Sequence, residues 1–174
     1  MKRVLGLVLT AMLLFSMTAC TEGKNLSLLS DEEFCNELWL MVDENIVEET
    51  PAGLSVLSVE ERTFYILSDF NFHFQCGGLA QYLYNTRAVY VDEVTPELKS
   101  LGLDEMAELY EGFFAENDVN LDDFLTDEMD SGTLYEKYPL DDFDDAFFAC
   151  YEETDLTEIL ADYAKNTFLE EYQK

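Results

Sequence analysis

Apolar side chains recur every three or four positions through most of this chain, with acidic residues filling the intervals. Phe34, Leu38, Met41/Val42 and Ile46 share one face and predict an amphipathic helix over 31–49. Ser30-Asp31-Glu32-Glu33 supplies its start, with Ser30 as N-cap and Glu33 reaching back to close a capping box, and Pro51-Ala52-Gly53 ends it. A second box, Ser58-Val59-Glu60-Glu61, opens a helix whose inward face holds Phe64, Leu67 and Phe70/Phe74. Gly77-Gly78 interrupts that pattern, which resumes with Leu79, Tyr82 and Leu83 and stops at Asn85. Thr95-Pro96-Glu97 reads as another start, because proline suits the first helical position and an acid suits the dipole there. Leu98 and Leu101 face inward and Gly102 closes that short helix.

From Asp104 to about residue 115, Met106, Leu109, Tyr110 and Phe113 line one side of a further helix. The stretch 116–139 is the least regular, with a helical turn at 121–125 and with Ser131-Gly132 and Pro139 as breakers. Asp141 or Asp142 opens a helix burying Phe143, Phe147 and Cys150/Tyr151, and Asp155 opens a last one running to Phe168. There is no alternating strand pattern, internal repeat or dividing linker. The expectation is an all-α, compact single domain of six to eight helices over residues 30–174.

The first twenty residues follow a different rule. Met1-Lys2-Arg3 is basic, residues 4–15 are mostly apolar, and Ser16-Met17-Thr18-Ala19 is a small-residue exit. Those are the parts of a secretory signal peptide, and the apolar run is shorter than the ~20 residues that cross a bilayer. Met17-Thr18-Ala19-Cys20 resembles a lipobox, with Met17 in place of the usual Leu. The expectation is a signal peptide over 1–19, lipidation at Cys20 and a polar tether over 20–29. Diacylation suffices for stable anchoring, so the protein is expected on the extracytoplasmic side of the cell membrane.

Charge narrows the range of partners. All 38 acidic residues follow residue 20, but only seven of the nine Lys and Arg do, so that portion carries −31 with its His neutral. Such a charge opposes direct binding to nucleic acid and favours basic proteins, basic peptides or divalent cations. Apolar and aromatic content is high enough for a packed core. Cys35, Cys76 and Cys150 form at most one disulfide between them, and small buried hydrophobes are their simpler role.

Familiar catalytic patterns are missing. His73 is the sole histidine, and it sits among Phe72 and Phe74, where a partly buried, hydrogen-bonded role is expected. There is no nucleophile elbow, P-loop, dinucleotide fingerprint or Cys-x-x-Cys. The segment from Asp127 suggests a calcium loop, but Met129 and Tyr138 occupy positions where oxygen ligands are needed. No metal site or cofactor is expected, beyond weak cation binding by Asp122, Asp123, Asp127, Glu128 and Asp130. Asp141/Asp142 and Asp144/Asp145 could be drawn as catalytic carboxylates, but so acidic a chain produces adjacent pairs by chance. These nine acids are instead candidates for an acidic binding surface.

The segment Phe74-Gln75-Cys76-Gly77-Gly78-Leu79-Ala80-Gln81-Tyr82-Leu83-Tyr84-Asn85 resembles the signature of a bacterial helical family. That family is of the DNA-mimic, DMP-nineteen type and is otherwise catalogued as a domain of unknown function. Gly77, Gly78, Gln81 and Asn85 match the signature, while Gln75, Cys76 and Leu79 replace its two Asn and its Phe. The likeness extends over roughly 30–170. It implies an α-helical fold, a possible homodimer and, in one branch, an acidic surface that occupies a transcription factor's DNA-binding face. Physically, Gly77-Gly78 would permit positive φ or close backbone contact, and Gln81 and Asn85, one turn apart, would satisfy loop groups.

Three functional readings follow. The first is a lipid-anchored, acidic, non-enzymatic binding protein for cationic envelope partners. The second is a DNA mimic that covers a DNA-binding protein's basic face. The third and weakest is a carboxylate-based envelope enzyme.

Overall fold

The computed structural model describes residues 25–48, 50–125 and 131–173, with the side chain of Ser131 left out. The proposed signal peptide, Cys20, and the acids Asp127, Glu128 and Asp130 lie outside the described residues. Every regular element among those described is helical, in the order α1 (Asp31–Asp43), α2 (Val59–Asn85), α3 (Val91–Ser100), α4 (Asp104–Asn117), α5 (Asp122–Leu125), α6 (Ser131–Lys137), α7 (Leu140–Glu153), α8 (Leu156–Thr167) and α9 (Leu169–Tyr172). Two 3-10 turns, Leu26–Leu28 and Gly53–Val56, precede α1 and α2. The all-α expectation holds, with six helices of ten residues or more and three short ones. None of the described helices is long and apolar enough to cross a membrane.

α2 is the central element and packs against α1, α3, α5, α7 and α8. Its composition explains the position. Phe64, Tyr65, Ile66, Leu67, Phe70 and Phe74 are all buried, so it is apolar around most of its circumference, as a helix enclosed by others must be. Phe70 is a hub, its ring lying 5.0–5.5 Å from those of Phe74, Tyr82, Tyr110 and Phe147 and so joining α2, α4 and α7. Edge-to-face contacts of this kind add stability beyond the area they bury.

The local start signals are where the sequence places them. Ser30 and Glu33 form a complete capping box, as do Ser58 and Glu61. The Asp155 side chain accepts from the backbone N–H groups of Thr157 and Glu158. Gly102 adopts φ +74° and ends α3 in a Schellman turn, with Leu103 N–H bonded to Leu98 C=O and Gly102 N–H to Lys99 C=O.

Three boundaries differ. α1 stops at Asp43 rather than near 49, because Asn45 bonds back to the Met41 carbonyl and Val47 points into solvent. α3 begins at Val91, a turn before Thr95-Pro96, which places Pro96 inside the helix. Burial of Val91 and Val94 in the core draws the helix back to them, overriding the local Thr-Pro-Glu signal. Ser131-Gly132 does not break the chain but opens α6, which sets the buried Leu134 against the core.

Candidate functional site

The break in α2 is built from the glycine pair. Gly77 has extended φ (−179°), while Gly78 takes φ +69°, ψ −167°, a region nearly closed to side-chain-bearing residues. The helix restarts at Leu79, whose freed N–H needs an acceptor. Asp144 on α7 supplies it, its carboxylate accepting from Leu79 N–H at 2.9 Å and from the Tyr135 hydroxyl at 3.2 Å. Burial raises the Asp144 pKa, against the pull of those two donors. A β-carbon on Gly78 would lie 2.5 Å from the Asp144 Cγ and closer still to Oδ2, so a second residue type there would collide with the cap.

The polar residues around the break tie α2 to its neighbours. Gln75 donates to the Tyr151 hydroxyl at 2.8 Å and to Asn71 Oδ1 at 3.0 Å, and Asn71 donates to Thr157 Oγ1 at 3.0 Å. Tyr151 completes the network by donating to Asn71. Gln81 packs beside Gly77, where a β-carbon would be only 3.0 Å from the Gln81 Cβ. Asn85 donates to His73 Nδ1 at 3.0 Å, which places the ring proton on Nε2, facing Asp69 Oδ1 at 3.6 Å. Burial lowers the His73 pKa and keeps the ring neutral. Gly77, Gly78, Gln81 and Asn85 therefore sit around one broken helix.

A family model for DMP19-like proteins matches residues 55–167, from just before α2 to the end of α8. The chain belongs to that family. No curated protein and no solved structure matches it.

In this DMP19-like domain the described acidic candidates fall into two groups. Asp122, Asp141, Asp142 and Asp145 are exposed. Asp144 is the half-buried helix cap described above. Asp123, its side chain 10% exposed, is held by Lys137 and by the Tyr138 hydroxyl, which lower its pKa. Asp123 and Asp144 thus hold α6 and α7 in place rather than facing outward.

The outward carboxylates gather on α4 and α7, which run antiparallel and in contact: Phe113 lies 4.9 Å from Phe143, and Glu105 reaches Cys150. Glu105, Glu108 and Glu116 of α4 and Asp141, Asp142, Asp145 and Glu152 of α7 are exposed. Acids three and four apart on a helix stand about 5–6 Å from one another, as Glu105 and Glu108 do on α4 and Asp141, Asp142 and Asp145 on α7, so each helix carries a row of charge that Glu116 and Glu152 extend about two turns further. The basic residues barely offset them. Among the described basic residues, Arg62 pairs with Glu93 and Glu97, Lys137 with Asp123 and Lys165 with Asp31, Lys99 reaches Glu111 at the edge of this face, and the exposed Arg87 lies in the turn after α2.

The cysteines separate by environment and none is disulfide-bonded among the described residues. Cys35 is buried, as expected, and burial pushes its thiol up to about 12. Cys76 is exposed and so is not the buried hydrophobe expected of it. Ser68 and Asn71, polar residues buried on α2, mark a cleft between α1 and α2 that local pattern does not single out. Their helical spacing with Phe64 and Phe74 is the one trace of that position in the sequence.

Proposed function

We propose that this DMP19-like chain is a lipid-anchored, acidic, non-enzymatic binding protein of the cell envelope whose α4–α7 face docks onto the basic surface of a partner protein. The observation carrying this reading is the double row of exposed carboxylates on α4 and α7, with Arg62, Lys137 and Lys165 engaged elsewhere. Facing rows of like charge raise the local potential, so a basic surface gains attraction and a faster encounter, both weakened by salt. The anchor rests on the lipobox-like run ending at Cys20.

A second reading, a DNA mimic occupying a DNA-binding protein's basic face, uses the same surface and is favoured by the family. The test titrates the full chain, in detergent, with two folded probes of equal positive charge, one a DNA-binding domain and one not. The envelope reading expects both to bind comparably, with salt-sensitive affinity. Replacing Glu105, Glu108, Asp141, Asp142 and Asp145 by their amides should weaken both at least about tenfold. Selective binding of the DNA-binding domain, together with no lipid label on Cys20 and a cytosolic location, would establish the mimic instead. Absence of binding to either probe would overturn both.

A further inference from the structure

A cleft of about 410 Å³ opens between α1, α2 and the first turn of α8, on elements other than α4 and α7. Its walls combine three kinds of surface. Trp39 and Phe72 provide aromatic faces, and Phe72 is 60% exposed, an unusual position for a phenylalanine with no partner covering it. Asn71, Gln75 and Thr157 provide the amide and hydroxyl network described above. Glu32 and Glu33 provide carboxylates, and among the described residues no Lys or Arg lines the cleft. A shallower groove continues past Gln75 and Thr157 to Phe148, Asp155 and Glu158, extending the same aromatic floor and acidic edge.

Two wall residues carry buried polar atoms with no hydrogen-bond partner among the described residues: the Trp39 indole N–H and the Ser68 hydroxyl. Ser68 is only 8% exposed. A buried donor left unpaired is costly in a folded protein, so its position beside an open cleft points to a ligand group that would accept from it. The indole N–H can only donate, and so calls for an acceptor such as a peptide carbonyl. Carboxylates beside exposed aromatic rings call for a cation whose stem is apolar, as in arginine or lysine.

We propose that this cleft binds a short cationic segment of a partner protein, with a basic side chain laid over Phe72 towards Glu32 and a backbone carbonyl taking the Trp39 N–H. The inference rests on the reading of the chain as a binder of cationic partners, and adds a second contact that recognises extended chain rather than a charged surface. The cleft volume lies within the range of sites that enclose a small ligand, and suits one or two residues of peptide.

The experiment uses the full chain and an octapeptide of alternating Arg and Gly, with an alternating Glu and Gly peptide as control. Trp39 is the sole tryptophan, so its emission reports directly on the cleft. The Arg peptide should shift that emission saturably while the Glu peptide leaves it unchanged. Phe72→Ala and Glu32→Gln, both at exposed positions, should each weaken binding about tenfold, whereas the α4–α7 amide variant should leave the shift in place. Arg-peptide binding without any Trp39 response, or unaffected by Phe72→Ala and Glu32→Gln, overturns the cleft. So does spermine shifting Trp39 where the peptide does not, which would make it a polyamine site. If the folded basic probes still bind the α4–α7 face in those cases, the proposed function survives. If no cationic probe binds at all, both fall.

Discussion

Gly78→Ala tests the claim that the α2 break and Asp144 form one device. An alanine must adopt φ +69°, ψ −167°, and strain in that region costs of order 1–3 kcal/mol. Its β-carbon also displaces the Asp144 carboxylate, and losing a charge-assisted bond at a half-buried position adds about 1.5 kcal/mol. Taking the middle of the strain range, the sum is about 3.5 kcal/mol, a large part of a domain's usual stability. Gly102→Ala is the control. It too has positive φ, but a β-carbon there meets nothing within 4 Å, so the cost should be the left-handed penalty alone, about 1 kcal/mol. The decisive comparison is a cycle with Asp144→Ala, read by urea unfolding through Trp39 emission and far-ultraviolet dichroism. Because each single change already forfeits the same hydrogen bond, the double variant should be about as stable as Gly78→Ala alone. Strict additivity, with coupling within about 0.5 kcal/mol of zero, would refute the link between the glycine and the cap.

Three other outcomes are expected. Phe70→Ala, which empties the ring cluster joining α2, α4 and α7, should cost about 3–5 kcal/mol in urea unfolding, and a loss under 1 kcal/mol would deny the hub. The His73 ring, titrated by proton NMR, should show a midpoint below 6.5, the value it has in the unfolded chain. Its folded pKa being the lower, the unfolded state binds more protons, so this group removes stability as pH falls from 6.5 through the folded midpoint; a midpoint above 6.5 contradicts its burial. A thiol reagent should modify Cys76 in the native protein and Cys35 only after unfolding, and equal rates at the two would be the opposite result.

What could be read from the sequence was local. Ser30 with Glu33, Ser58 with Glu61, and Asp155 cap helices through atoms two or three residues away, so short patterns reveal them. Gly77-Gly78 announced a break for the same reason. What could not be read depended on distant partners. Asp144 looks like any acid in Asp141-Asp142-Phe143-Asp144-Asp145, and only the fold brings it to Leu79, 65 positions earlier. Asp123 is distinguished from Asp122 by Lys137, at the end of the following helix, and Tyr138 just after it. α3 starts at Val91 rather than after Thr95 because burial of Val91 and Val94 outweighs a good local signal at Thr95. The cleft is not legible in the sequence, because Trp39, Ser68 and Phe72 acquire meaning only when α1 lies along α2.

The central claim is that the α4–α7 face meets a basic protein outside the cytoplasmic membrane. Photocrosslinking in living cells tests it most directly, with a photoreactive residue at Asp145 on that face or, as a control, at Glu44 beyond the end of α1. The account expects adducts from position 145, absent at position 44, whose captured partner bears a basic surface and shares the envelope fraction. Adducts that are the same from both positions, or none from position 145, would contradict it.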